Sequence, residues 1–219
     1  SSPQIEFSSI FEFNSSIPLI KKEKEYSKSI TPKLSIRVNP SDMKNYNDSE
    51  RSINTQNIFS VNRLGINDSF ESGKSLTLGI DYKKELLDDI NKYFTVELAT
   101  VLRDKEENFI PKKTSLNQKS SNLFGSISNN LSENININYN FAIDNNFDEL
   151  VYNDINATLS LTNFKSTFNF VKETGIMGDQ NFLKNTTSYK FNDENYLKFN
   201  TRRNRKLNLT EFYDLVYEY

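Results

Sequence analysis

Lys198, Asn200 and Arg202 alternate with Leu197, Phe199 and Thr201. Successive side chains of a strand point to opposite faces, so this spacing puts the three polar groups on one wall and the apolar groups on the other. Arg202, Arg203, Arg205 and Lys206 then cluster at a strand end. Such cations suit an anion contact, because charge-assisted hydrogen bonds to phosphate or carboxylate are strong. A solvated hairpin tip has the same composition, and both readings stand at this point. The run Asp144-Asn145-Asn146-Phe147-Asp148-Glu149 offers oxygen ligands of the kind Ca²⁺ takes. Asn and Asp also favour turns, and a polar hairpin loop is the expectation there. The sequence holds no His and no Cys. That removes the commonest general base, thiol nucleophiles, disulfides and most transition-metal sites. Ser is abundant, but no spacing singles out a Lys or carboxylate base beside it. The expectation is a protein that is not an enzyme and uses no metal or cofactor.

Elements that could position these residues are suggested by composition. The 219 residues carry a formal net charge of −2, which gives no clustered basic excess for nucleic acid. Mean hydropathy is −0.66 and no 18-residue apolar run exists, so a helical membrane protein is excluded. Yet the chain has 17 Phe and 11 Tyr, more than a disordered polar chain would hold. Many Asn-x-Ser/Thr triplets occur, as expected by chance in such a chain, and no glycan is assigned. The start, Ser1-Ser2-Pro3-Gln4-Ile5-Glu6, has neither the basic nor the apolar part of a secretory signal. Either the protein is not exported or the sequence is an internal piece of a longer chain.

Period two dominates the chain. Ile135, Ile137, Tyr139, Phe141 and Ile143 alternate with Asn136, Asn138, Asn140 and Ala142. The same alternation runs through Ile5–Phe13, Ile30–Val38, Leu76–Tyr82, Phe94–Leu102, Val151–Leu161, Phe164–Phe170, Leu183–Phe191, Leu197–Phe199 and Leu207–Tyr219, with a weaker strand at Leu123–Ile127. These make about eleven strands, most near the 9–11 residues that cross a bilayer when tilted. Lys83–Lys92 has helical composition but is short, and reads as a turn or a small helix. Short turns near Asn129–Glu133, Asn163 and Asn192–Glu194 alternate with longer connections near Asp104–Ser120, Asp144–Asp148 and Glu173–Gln180, the asymmetry of transmembrane β-barrels. That alternation holds only if Asn39–Lys74 is one long loop containing Ile58–Leu64. The fold class expected is all-β, an antiparallel transmembrane β-barrel segment. A soluble β-sandwich or a solenoid also alternates, and periodicity alone leaves them open.

The run from Ile58 to Tyr82 carries a recognisable pattern. It resembles the LPS-assembly outer-membrane protein family LptD (OstA, Imp), in which a stretch of the form LF…NRFSGxDRxExGxRLxYGLxY leads into a barrel strand. Asn62, Arg63, Gly65, Asp68, Glu71, Gly73, Leu76, Gly79 and Tyr82 match it. Ser69 stands where the family has Arg, so no role of that Arg carries over. Leu98–Arg103, the polar loop with Pro111, Lys119–Gly125 and the ending Leu209–Tyr219 follow the family's order.

The resemblance implies that residues 1–219 are part of one C-terminal β-barrel domain, with no second domain, cut from a larger barrel. The lateral gate and the family's cysteines would then lie outside this chain. It further implies an outer-membrane location and delivery of lipopolysaccharide (LPS) to the outer leaflet. The implied partners are LPS, an LptE-type lipoprotein plug, a periplasmic LPS bridge reached through an N-terminal domain, and membrane lipid. Lys198, Asn200 and Arg202 would be the lumen or cargo contacts. Asn62, Arg63, Gly65, Asp68, Glu71 and Gly73 form the family loop motif. The rivals are another outer-membrane barrel, a porin or receptor, and more remotely a soluble β-rich adhesion module. No nucleotide-binding GxxxxGK[ST] loop is present, so energy for transport would come from elsewhere.

Overall fold

The computed structural model describes residues 9–219. Its strands are β1 (Phe11–Ser16), β2 (Leu19–Lys22), β3 (Tyr26–Asn39), β4 (Gly73–Leu86), β5 (Tyr93–Arg103), β6 (Leu123–Asn129), β7 (Ile135–Ile143), β8 (Leu150–Ser160), β9 (Phe164–Glu173), β10 (Asn181–Lys190), β11 (Tyr196–Asn204) and β12 (Leu209–Glu218). All join one antiparallel sheet in chain order, β1 and β2 both pairing with β3. Each strand from β3 onward pairs with the next, so the sheet is a meander. Among the described residues the sheet is open, and β1 and β12 stand at its two ends.

The expected count of eleven strands becomes twelve because the first is broken. Pro18 has no N–H to give the ladder, and strand pairing is interrupted between β1 and β2 with the register against β3 unshifted. The Ile17 amide still donates to the Pro32 carbonyl at 3.2 Å, so the two pieces run along β3 as one interrupted strand. Ile5 and Phe7 lie outside the described residues. Lys83–Leu86 is strand, not turn or helix. These residues pair with Ser29, Lys28, Ser27 and Tyr26, and the Lys84 ammonium sits 3.9 Å from the Tyr26 ring centre. Helical propensity is outweighed there by an available partner strand. Leu207 lies in the β11–β12 turn, with β12 starting at Leu209.

The two long connections, 40–72 and 104–122, lie at the same end of the sheet. One end of the sheet carries the short turns 87–92, 130–134, 161–163 and 191–195. The other carries 40–72, 104–122, 144–149, 174–180 and 205–208. Ile58–Leu64 lies in the first long loop, without strand pairing. The β3–β4 register, Asn39 opposite Gly73 and Tyr26 opposite Leu86, leaves no room for another crossing. In the 144–149 loop the Asp144 carboxylate accepts from the Asp148 and Glu149 amides at 2.9 and 3.0 Å. Its oxygens are turned onto the loop's own backbone, as in an Asx-type hairpin.

The two faces of the sheet behave oppositely. One face carries Ile30, Ile36, Leu78, Ile80, Leu102, Phe168, Tyr189, Leu215 and Tyr217, all exposed. The other carries Ser35, Arg37, Asn39, Ser75, Thr77 and Ser126, all buried. The long loops 40–72 and 104–122 fold over this polar face and bring their own apolar side chains. Met43, Ile53, Ile58, Leu64, Ile66, Ile110 and Leu116 form one buried cluster with Ala99 and Val101 of β5, Phe124 of β6 and Ala142 of β7. The loops also bind each other, Tyr46 N donating to Phe109 O at 2.8 Å and Lys112 N to Asn47 O at 3.1 Å. A two-layer sandwich would cover the apolar rows instead.

Gly79 shows how closely the lid is fitted. A Cβ there would lie 2.7 Å from the Phe59 ring and 3.2 Å from the Leu98 carbonyl. Phe59, within the 40–72 loop, seats its ring on this gap, with the Lys33 ammonium 5.6 Å from the ring centre. Gly79→Val fills the seat, and overpacking of this kind costs about 1–3 kcal/mol. Limited proteolysis is expected to show faster cleavage around residues 57–63 with the sheet unchanged, whereas wild-type cleavage rates would show that the ring does not use this seat.

Candidate functional site

Glu71, at the end of the long loop, is buried among guanidinium groups. Arg63 grips it with both arms, Nε donating to Oε2 and Nη2 to Oε1, each at 2.6 Å. Arg37 of β3 adds Nη1 to Oε2 at 3.2 Å, and Arg103 of β5 donates from Nη1 to Oε1. Arg63 extends the network to the sheet, donating to Thr77 Oγ1 at 2.8 Å and Ser75 Oγ at 3.0 Å, both on β4. Arg37 also holds Glu12 of β1 through Nε at 2.9 Å and the Ser60 carbonyl at 2.6 Å. One carboxylate therefore ties the loop to β3, β4 and β5, with β1 joined through Arg37. Burial alone would raise the Glu71 pKa, but Arg63 above all, with Arg103 and Arg37, holds it below its ordinary value.

The neighbouring motif residues shape the backbone that delivers these groups. Asn62 staples its turn, its Nδ2 donating to the Ile66 carbonyl at 2.7 Å and its Oδ1 accepting from the Ile66 amide at 3.2 Å. Gly65 sits inside that turn at φ +61°, a conformation costly for other residues. Gly73 has φ +87°, and a Cβ on it would stand 3.0 Å from Arg103 Nη2. Asp68 lies apart at the surface, accepting from Lys44 Nζ at 3.1 Å and from the Tyr46 hydroxyl. The Tyr46 contact holds the Asp68 carboxyl below its ordinary range. Of the six motif residues, Arg63, Glu71 and Gly73 stand at the anchor, Asn62 and Gly65 shape the exposed turn beside Arg63, and Asp68 clasps the loop to itself.

Arg37 and Arg103 complete the anchor and were not singled out by sequence. Arg37 shares its parity with Ser35 and Asn39, and Arg103 closes β5; each reads as an ordinary polar position on a wet face. Their pairing with Glu71 spans 34 and 32 residues, which no local pattern encodes.

Lys198, Asn200 and Arg202 lie together on β11, far in the sheet order from this anchor. Their register partners are Ser188, Thr186 and Lys184 on β10 and Val216, Asp214 and Phe212 on β12. They share the sheet face that the lid covers further along. Arg202 Nε is 3.0 Å from Glu211, and its guanidinium stacks 4.5 Å from the Phe182 ring centre. Asn200 Nδ2 donates to Asp214 Oδ2 at 3.1 Å. Arg202 and Asn200 are thus engaged across the strands. Among the described residues no group of three or more acidic, His or Cys side chains is placed to hold a metal ion.

A meander with short turns at one end, long loops at the other, exposed apolar rows outside and a polar wall inside defines a protein of the β-barrel membrane class. Residues 1–193 match the LptD family, described as LPS transport system D, and the chain belongs to that family. A comparison with curated proteins gives no match. The family is one of lipopolysaccharide transport at the outer membrane and not an enzyme family.

Glu71→Gln leaves the buried Arg63 and Arg103 guanidinium groups without their carboxylate, while Arg37 keeps Glu12. Breaking one side of a buried ion pair costs about 3–5 kcal/mol. Hydrogen exchange across residues 40–72 is expected to speed up strongly, while β8–β12 amides keep wild-type rates; unchanged loop exchange would remove Glu71 from its anchoring role. Acid gives the matching signature. Because the folded carboxyl titrates below its ordinary value of 4.5, its stabilisation is full above that value and is lost as pH falls through the lower folded value. Lid opening monitored by proteolysis should therefore show an acid step below the ordinary carboxylate range, absent in Glu71→Gln. A step at or above pH 4.5 would reverse the assigned sign.

Proposed function

We propose that this chain forms part of the wall of an outer-membrane LPS translocon, one stretch of a larger barrel domain. The exposed apolar rows face lipid. The polar face lines a hydrated lumen along which the sugars and phosphates of LPS move while the acyl chains leave sideways. The observation that carries this reading is the inversion of the faces. The apolar rows stay uncovered, and the buried cluster sits on the polar side under the long loops. A lipid-facing charge near the midplane costs roughly 2–4 kcal/mol, and Lys198, Asn200 and Arg202 are accordingly assigned to the lumen side.

The short-turn end is the periplasmic side and the lid end the cell exterior. Aromatic side chains near the short turns fit one of the two interfacial girdles of a barrel. Tyr82 and Phe94 meet at 6.3 Å between ring centres, Tyr189 and Phe191 at 5.1 Å, and Tyr217 and Tyr219 at 6.3 Å. The unpaired edges of β1 and β12 would meet further strands, since open backbone groups are not tolerated in hydrocarbon. Along β9–β12 the inner face lies beyond the lid cluster, which leaves space for an LptE-type plug. LPS would reach this wall from a periplasmic bridge through a domain other than this one.

Accessibility labels test the reading in the full-length protein in its membrane. Spin labels at Ile137, Tyr139 and Phe141 are expected to meet a lipid-soluble quencher. Labels at Asn136, Asn138 and Asn140 should meet a water-soluble one. An apolar row shielded from both quenchers would place it in a soluble core and reject the membrane wall.

A further inference from the structure

At its short-turn end the inner face of β9–β11 carries Lys165 and Lys198, neither of them in a salt bridge among the described residues, whereas Arg202 is held by Glu211. Lys165 on β9 and Lys198 on β11 both lie opposite Ser188 on β10, one from each side. Lys190, two residues along β10, lies opposite Tyr196. Adjacent strands are about 4.8 Å apart, so two lysine stems separated by one strand reach a common point above Ser188. These three lysines, with Ser160, Ser188 and Tyr196, line an open cavity of about 470 Å³ whose lining holds no carboxylate. Two nearby acids are already engaged. Asp193 pairs with Lys190 itself at 2.7 Å on the turn side, and Glu218 engages the Tyr196 hydroxyl. Deeper along the wall, Glu211 answers Arg202, and Asp214 accepts from Asn200.

We propose that Lys165, Lys190 and Lys198 form a phosphate-binding station at the short-turn rim of the inner wall, which holds the phosphate monoester of an incoming amphiphile. The inference rests on the passage reading above and assigns one place on the wall to one chemical group. A phosphate monoester carries a charge of about −1.5 to −2 near neutral pH and three acceptor oxygens. The Lys165 and Lys198 ammonium groups around a small hydroxyl, with Lys190 held beside them by the exposed Asp193, match both features. Ser188 and Ser160 leave the centre of the cavity low and give hydroxyl donors, while the flanking lysines give charge without fixed geometry. The station is open to water, so it captures and releases rather than traps, and its grip falls with ionic strength over a Debye length of about 8 Å.

The test uses the full-length protein with its natural partners in membranes. A photo-crosslinking residue replaces Ser188, and a second preparation carries it at Asn138, on the same face but away from the station. The probes are a phosphorylated glycolipid, its dephosphorylated counterpart, and inorganic phosphate as competitor. At Ser188 the phosphorylated probe is expected to be captured preferentially. The triple change Lys165→Gln, Lys190→Gln, Lys198→Gln should lower that capture about tenfold at low salt, the sum expected of three exposed charge contacts. The triple Lys→Arg variant should restore it, and Lys83→Gln with Lys84→Gln should leave it unchanged. Heat-modifiable gel mobility identical to wild type shows that the variants fold.

Equal capture of both glycolipids, equal capture by wild type and the Gln variant, or binding of inorganic phosphate without the phosphorylated glycolipid overturns the station. Capture at Asn138 with no Lys dependence at Ser188 would end the station and leave the passage standing. Capture at neither position would end the passage reading itself.

Discussion

A strand that gives its N–H and C=O groups to neighbours on both sides has only its two faces left to sort by polarity. That constraint organises this molecule. Eleven-residue strands such as β5 and β8 alternate faces, and their registers set many apolar positions opposite apolar ones, as Leu76 with Leu102 and Ile155 with Phe170. In β7 and β8, Ile137 faces Ala157 and Asn138 faces Asn156. A slip of one residue would exchange the faces of a strand relative to its neighbours. Because each strand from β3 onward pairs with its successor, hairpin turns fix that register locally, and bulges at Ala142/Ile143 and Arg202/Arg203 mark where pairing shifts.

With the apolar rows committed outward, the buried interior has to be made from something else. The long loops supply it. Their apolar residues collect over Ala99, Val101, Phe124 and Ala142, and a charged network finishes the attachment. Buried ion clusters are poor sources of net stability, because desolvation offsets most of the attraction. Their value here is geometric. Arg63 and Glu71 come from the loop, Arg37 and Arg103 from strands either side of β4, and the planar guanidinium forks admit only one seating of the loop on the wall.

Legibility in the sequence followed the range of the interactions. Ile135–Ile143 announces its strand and its two faces outright, because period two is a local property. The placement of Ile58–Leu64 in a loop also follows from sequence, through the alternation of turn lengths. The motif residues Asn62, Arg63, Gly65, Glu71 and Gly73 could be found by resemblance, but their role could not. Gly65 and Gly73 declare themselves only through positive φ, and Glu71 through cations far away in the chain. Lys83–Leu86 was misread because its composition favours a helix while Tyr26–Ser29 offers it a strand to join. Pro18 splits a strand without ending its course along β3. On β11, sequence placed Lys198, Asn200 and Arg202 on one face but did not reveal that Glu211 and Asp214 occupy two of them.

The span of the anchor has a temporal consequence. Glu12, Arg37, Arg63, Glu71 and Arg103 all precede β6, and every strand they clamp pairs within the first half of the chain. Contacts that span 25–34 residues close against less loop entropy than contacts that span the whole sheet. The loop can thus be locked onto β3, β4 and β5 while β8–β12 are still unpaired. Later hairpins then add to an edge that already carries its lid, and the finished wall never has to admit a bulky, polar segment through a closed mouth.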